Sequence, residues 1–147
     1  MKTLLIYAVV ALVGPFLLLP GKLLAGFVFS LLLMFMPEKS RVPFCGFIGG
    51  LVGSALVILF AYFVFKWQFG PNSFNALPLM ATVIPLIVPI RGDFKQYSQL
   101  SRSQRNMDPA AASLAAPTLW GVRAGIVGEI VGIVLLPTWL LVLGLTR

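Results

Sequence analysis

The sequence predicts an all-α integral membrane protein, a bundle of about five hydrophobic segments forming a single transmembrane domain over residues 1–147. Three observations predict it. Charged residues make up only 10% of the chain, against roughly 25% in a soluble domain. Hydrophobic residues make up 59% and the mean hydropathy is +1.00; a soluble domain of this size has no means of covering so much apolar surface. The few charges collect in short gaps between apolar runs, as they do where the runs lie in lipid.

The runs are 3–19, 23–36, 44–65, 74–90 and 119–143. A spanning helix needs about 20 apolar residues. The third and fifth runs meet that length, the first and fourth are adequate, and the second is short. Joined as one helix, the first two would be about 50 Å long, against a hydrocarbon core of about 30 Å. Gly14-Pro15 and Pro20-Gly21 interrupt them; proline removes a backbone donor and glycine turns easily. A tight hairpin at 19–22 is therefore expected, with a single kinked, tilted span as the alternative. Met1-Lys2 ahead of a short apolar core is like a signal peptide, but Pro15, Pro20 and Lys22 fit a small-residue cleavage site badly, so this is read as an uncleaved first segment.

Orientation follows from Lys and Arg. Lys39 and Arg41 lie between the second and third runs, and Arg91, Lys95, Arg102 and Arg105 between the fourth and fifth, whereas only Lys66 lies between the third and fourth. The positive-inside bias then gives an N-in, C-out chain, with Lys22 at an outer turn. Trp120 and Trp139 bracket the last run, about 29 Å apart at helical rise, one membrane thickness. Residues 91–118 are expected to be a basic cytoplasmic loop, either an interfacial helix on the inner leaflet or a solvated connection. Within it Asp108-Pro109 reads as a helix start, with Asp as cap and Pro in the first position, and a short Ala-rich helix breaking at Pro117. Lys95, Arg102, Arg105 and Arg123 are the candidate contacts for lipid headgroups or for cytosolic docking. Pro78, Pro85 and Pro89 bend the fourth run.

Composition also excludes functions. The chain has one cysteine, Cys45, and no histidine. An internal disulfide, a multi-cysteine metal site, histidine ligation and a Ser-His-Asp or Cys-His triad are all impossible within it. No cofactor, metal or catalytic residue is expected. The net charge of +7 is explained by the positive-inside pattern, and without a basic groove no nucleic acid is expected as a partner.

Two packing seams stand out. Gly121, Gly125, Gly128 and Gly132 fall within about 60° of one helix face, and Gly46, Gly49, Gly50 and Gly53 within about 100°. Small residues so arranged let membrane helices approach closely. Both seams occupy the inner half of their segments, so the third and fifth segments are expected to pack in parallel, glycine on glycine. Glu129 lies near mid-membrane beside one seam, where a carboxylate is costly unless paired, protonated or hydrated. Ser54 sits at similar depth beside the other, and Thr82 at the middle of the fourth run. Glu129, Ser54 and Thr82 are the candidate intramembrane polar site. Arg123 lies about 120° from Glu129 around the helix, too far for an intrahelical pair.

Two local resemblances bear on chemistry. Residues 124–132 (AGIVGEIVG) resemble the first-helix signature of the small multidrug resistance transporters, in which a membrane-embedded glutamate sits among small residues. The likeness covers nine residues, in the last segment rather than the first; it implies a proton-coupled carboxylate at Glu129, not membership of that family. Gly92-Asp93 resembles the end of the GxGD motif of intramembrane aspartyl proteases, but Ile90 replaces the first glycine and no second aspartate lies in an apolar run. Since those enzymes need two acids sharing a proton, no protease activity is expected.

The expected function is that of a non-enzymatic accessory or assembly subunit of a larger membrane complex in a bacterial cytoplasmic (inner) membrane, its partners the lipid bilayer and other membrane protein subunits. The alternative is a small homo-oligomeric ion channel or proton-coupled transporter using Glu129. The number of polar groups at mid-depth discriminates between them, because transport needs more polar lining than Glu129, Ser54 and Thr82 supply.

Overall fold

A computed structural model describes residues 2–69 and 84–145. These form four helices: α1 (Lys2–Leu32), α2 (Glu38–Phe69), α3 (Ile84–Arg105) and α4 (Pro109–Leu145). Three of them, over Leu12–Leu32, Glu38–Val64 and Pro109–Trp139, are long and apolar enough to cross a membrane. The protein is thus all-helical, with the composition of an integral membrane protein.

The first correction concerns the N-terminal hairpin. Residues 19–22 do not turn; α1 runs unbroken past them. An internal proline removes one backbone donor, whereas a broken helix in an apolar environment strands several groups at once, so the helix persists. The glycines that suggest a turn are used for packing. A β-carbon at Gly14 would stand 3.2 Å from Val57 Cγ1, and one at Gly21 would stand 2.7 Å from Leu56 Cδ1 and 3.3 Å from Gly53 Cα. The N-in orientation rested on the hairpin and falls with it. One helix, not two, precedes the basic turn, so the two ends of α1 lie at opposite ends of the bundle.

Helices α1 and α2 form an antiparallel pair. The turn between them closes through Leu33 N to Phe29 O and Met36 N to Leu33 O, both 2.9 Å, and α2 starts on Pro37, whose carbonyl accepts from Ser40 N and Arg41 N at 3.0 Å. Helix α2 is central, packed on α1 along one side and α4 along the other. It runs parallel to α4: Gly46 meets Gly121, and Gly50 meets Gly125. The core joins three helices through Leu18, Val57, Ile58 and Leu86. Much of the remaining apolar surface faces outward, Phe16 and Leu24 of α1 being 76% and 71% exposed, the pattern of a helix whose solvent is lipid.

The second correction concerns the basic loop. Residues 91–105 are helical and continue the helix that begins at Ile84, so this stretch is not an irregular connection. Its inward stripe, Leu86, Asp93, Tyr97, Leu100 and Gln104, is less exposed than Arg91, Lys95, Arg102 and Arg105 on the other faces. That spacing of seven, four, three and four residues is one helical face. The third correction is at Pro117, which lies inside α4 rather than ending a short helix; the same backbone argument applies. The start of α4 at Pro109 follows Asp108, whose carbonyl accepts from Ala112 N at 2.8 Å. Gln104 Nε2 donates to Ala112 O at 2.8 Å and ties α3 to α4. Most of the fourth apolar run, Thr82 and Pro78 included, lies outside the described residues.

Candidate functional site: a buried ion triad

The α2–α4 seam is tight because its glycines face backbone. A methyl group on Gly46 would collide with the Gly121 carbonyl, one on Gly50 with the Gly125 carbonyl, and one on Gly128 with the Phe47 carbonyl. Gly132 closes on the Ser54 hydroxyl. Gly49 and Gly53 face the other way: a β-carbon on Gly49 would stand 2.9 Å from Lys22 O, and one on Gly53 2.7 Å from Lys22 Cγ and 3.0 Å from Leu18 O. The one glycine-rich face of α2 therefore serves two neighbours.

This thinning of α2 lets a side chain of α1 reach α4. The Lys22 stem passes over Gly53, and its ammonium forms an ion pair with Glu129 Oε1. The same nitrogen donates to Asp93 Oδ2 of α3 at 2.5 Å. Three helices thus contribute one charged group each to a single cluster. The Glu129 side chain is 1% exposed, and those of Lys22 and Asp93 are 22% and 24% exposed. Glu129 Oε2 is buried without a hydrogen-bond partner. With all three groups ionised the cluster carries one excess negative charge.

Ser54 is buried but does not supply that partner. Its hydroxyl donates back to Gly50 O and Leu51 O, each at 3.0 Å, within its own helix. Of the expected Glu129–Ser54–Thr82 site, Glu129 and Ser54 are both buried, and Thr82 lies outside the described residues. Lys22, expected at an outer turn, and Asp93, expected in a cytoplasmic loop, stand beside Glu129. Two carboxylates and one lysine thus share a site. Lys95, Arg102, Arg105 and Arg123 are all exposed, the first three on the outward faces of α3.

A cavity of about 540 Å³ leads to the cluster. Lys22 and Asp93 line one part of it, Arg41 another, and Gly46, Gly49, Gly121 and Gly125 thin its walls. Among the described residues no three His, Cys, Asp or Glu side chains gather as metal ligands would.

No family model, curated protein or solved structure matches this chain. Its function is therefore argued from the triad.

Two signals in the sequence point to the missed residues. Lys22 stands at the centre of the apolar span Leu12–Leu32, a costly place for a cation unless it has a partner. Asp93 follows Leu86 by seven residues on one face, so a helix that buries Leu86 also turns Asp93 inward.

Proposed function

We propose that this chain is a small, non-enzymatic proton-linked membrane transporter, working as a homo-oligomer, in which Glu129, beside Asp93, carries an exchangeable proton against the fixed charge of Lys22. The observation that carries the reading is the sharing of one buried ammonium by two carboxylates. A buried excess charge is costly, and one proton on the carboxylate pair makes the triad neutral. The groups that bear on its protonation are Lys22 from α1, Asp93 from α3 and Glu129 from α4, with Arg41 and Cys45 of α2 along the adjoining cavity. Polar lining at depth is what a transporter needs beyond an accessory subunit, and Lys22 and Asp93 add to it. The cavity supplies access from one end of the bundle.

The basic residues give a direction. Lys39 and Arg41 at the α1–α2 turn, and Arg102 and Arg105 before the α3–α4 turn, share one end of the bundle. By the positive-inside rule this end is cytoplasmic, in a bacterial inner membrane. The start of α1 and the end of α4 then lie together on the far side.

Proteoliposomes test the reading at two levels. Wild type is expected to carry protons down an imposed pH gradient, read with an entrapped pH dye, and to show a pH-dependent carboxyl C=O stretch in the infrared. Both signals should vanish in Glu129→Gln. Flux no greater than that of protein-free liposomes would overturn the transport function, whatever the infrared band does.

A second reading, an accessory subunit of a larger complex, draws on the outward face of α1, where Phe16, Leu19, Leu23, Leu24 and Phe27 are each more than 60% exposed. Intact-complex mass after gentle purification separates the two. Foreign membrane chains held in fixed ratio support the subunit, and a homo-oligomer supports the transporter.

A further inference from the structure

We propose that the cavity beside the triad binds an anionic phospholipid, with Arg41 as the contact for its phosphate and the apolar wall of α1 beside its acyl chain. Arg41 lies in the first turns of α2, at the basic end of the bundle, and lines this cavity. Its Nε is buried without a hydrogen-bond partner. Its hydrogen bond from Nη1 to Met34 O is 3.4 Å long, near the outer limit for such a bond. A guanidinium offers five donors in a planar fork that matches phosphate, and here most of the fork is unused. Among the described residues Arg41 has no acidic partner within ion-pair distance, whereas Lys22, the other cation of the cavity, is already taken by Asp93 and Glu129. Arg41 is therefore the cation of this cavity without an acidic partner among the described residues, and it stands at the basic end of the bundle.

Apart from the polar Lys22, Asp93, Ser30 and Gln96, the lining suits a chain rather than a soluble anion. Leu23, Phe27, Val42 and Val122 are apolar, and Leu23 and Phe27 are 64% and 66% exposed on the outer surface of α1. The cavity thus borders the bilayer hydrocarbon at α1, so a lipid enters sideways without leaving the membrane. A volume of about 540 Å³ lies within the range of small-ligand sites and takes a headgroup with the upper part of one chain. Basic pockets between membrane helices at a cytoplasmic face bind anionic headgroups by this combination of charge and depth. The inference uses Arg41 and the α1 wall rather than the carboxylates, so its test is read separately from proton flux.

Native mass spectrometry of the full chain in mild detergent, titrated with phosphatidylglycerol and separately with phosphatidylcholine, tests it. Wild type should retain phosphatidylglycerol about tenfold better: both lipids offer a phosphate, but the choline ammonium of phosphatidylcholine cancels its charge beside Arg41. Arg41→Gln should lose the preference and Lys39→Gln, exposed at the same end of the bundle, should keep it. Val122→Phe, which fills the cavity and leaves Arg41 in place, should reduce retention even if Arg41→Gln folds poorly. Equal retention of the two lipids by wild type, or an unchanged preference in both cavity variants, overturns the proposal. Displacement of phosphatidylglycerol by an equal concentration of inorganic phosphate overturns it too, because the site would then be one for a small anion.

Discussion

Lys22 reaches Glu129 by crossing α2 at Gly53, where a β-carbon would stand 2.7 Å from Lys22 Cγ. The ion triad and the glycine stripe of α2 are therefore one construction. A helix of ordinary side chains at Gly49, Gly50 and Gly53 would hold α1 too far from α4 for a lysine to bridge them.

Removing the shared cation should cost more than removing either acid. Lys22→Met leaves Asp93 and Glu129 buried beside each other with no counter-charge. Breaking a buried pair in this way costs about 3–5 kcal/mol, and thermal unfolding in detergent should fall accordingly. The triple variant Lys22→Met, Asp93→Asn, Glu129→Gln removes all three charges and should recover most of the loss. A triple variant no more stable than Lys22→Met would mean that the lysine acts through packing and not through charge.

The seam glycines should differ among themselves in a way their stripe conceals. Ala at Gly50 or Gly128 puts a methyl against a facing carbonyl, so α2 and α4 must separate. Overpacking of this kind costs about 1–3 kcal/mol. Gly125 belongs to the same stripe, yet a β-carbon there would first meet Gly46 O at 3.4 Å, an ordinary contact. Gly125→Ala should therefore be mild, and Gly92→Ala, with nothing within 4 Å, should be neutral or slightly stabilising through helix propensity. Unfolding midpoints of the four variants check this ranking; equal losses at Gly50 and Gly125 would contradict it.

Ser54 gives a smaller, signed expectation. Its hydroxyl bonds only to carbonyls one turn back in its own helix, carbonyls that also have backbone donors. Ser54→Ala should change stability by no more than about 1 kcal/mol and leave proton flux unchanged. Ser54→Leu should be far worse, because Gly132 leaves it no room. A large flux defect in Ser54→Ala would instead put this hydroxyl on the proton path.

The membrane class and the small-residue faces are legible in the sequence because both are patterns within one helix. Composition shows the solvent, and a period of 3.6 residues puts Gly121, Gly125, Gly128 and Gly132 on one side whatever they pack against. Glu129 is legible for the same reason, as a charge alone in an apolar run. Its partners are not, because pairing depends on which helices are neighbours and in what register. Lys22 was hidden by Pro20-Gly21, two residues that punctuate a soluble chain but that a helix in an apolar environment absorbs. Asp93 is hidden by the charges around it, which make 91–105 read as a loop when one face of it is half-buried.

The continuity of α1 is open to a direct test, since it decides the side on which the chain begins. A hairpin at 19–22 would put Lys2 and Lys39 on the same side of the membrane; one helix from Lys2 to Leu32 puts them on opposite sides. In a Cys45→Ala background, single cysteines at positions 2 and 39 can be labelled with a membrane-impermeant maleimide in intact cells and again after permeabilisation. Position 2 should label in intact cells and position 39 only after permeabilisation. Labelling of both positions only after permeabilisation would restore the hairpin. It would also separate Lys22 from Glu129, because a lysine at an outer turn lies about half a membrane thickness from a carboxylate at mid-depth, roughly 15 Å away. One labelling pair thus tests both the path of the chain and the geometry on which the triad depends.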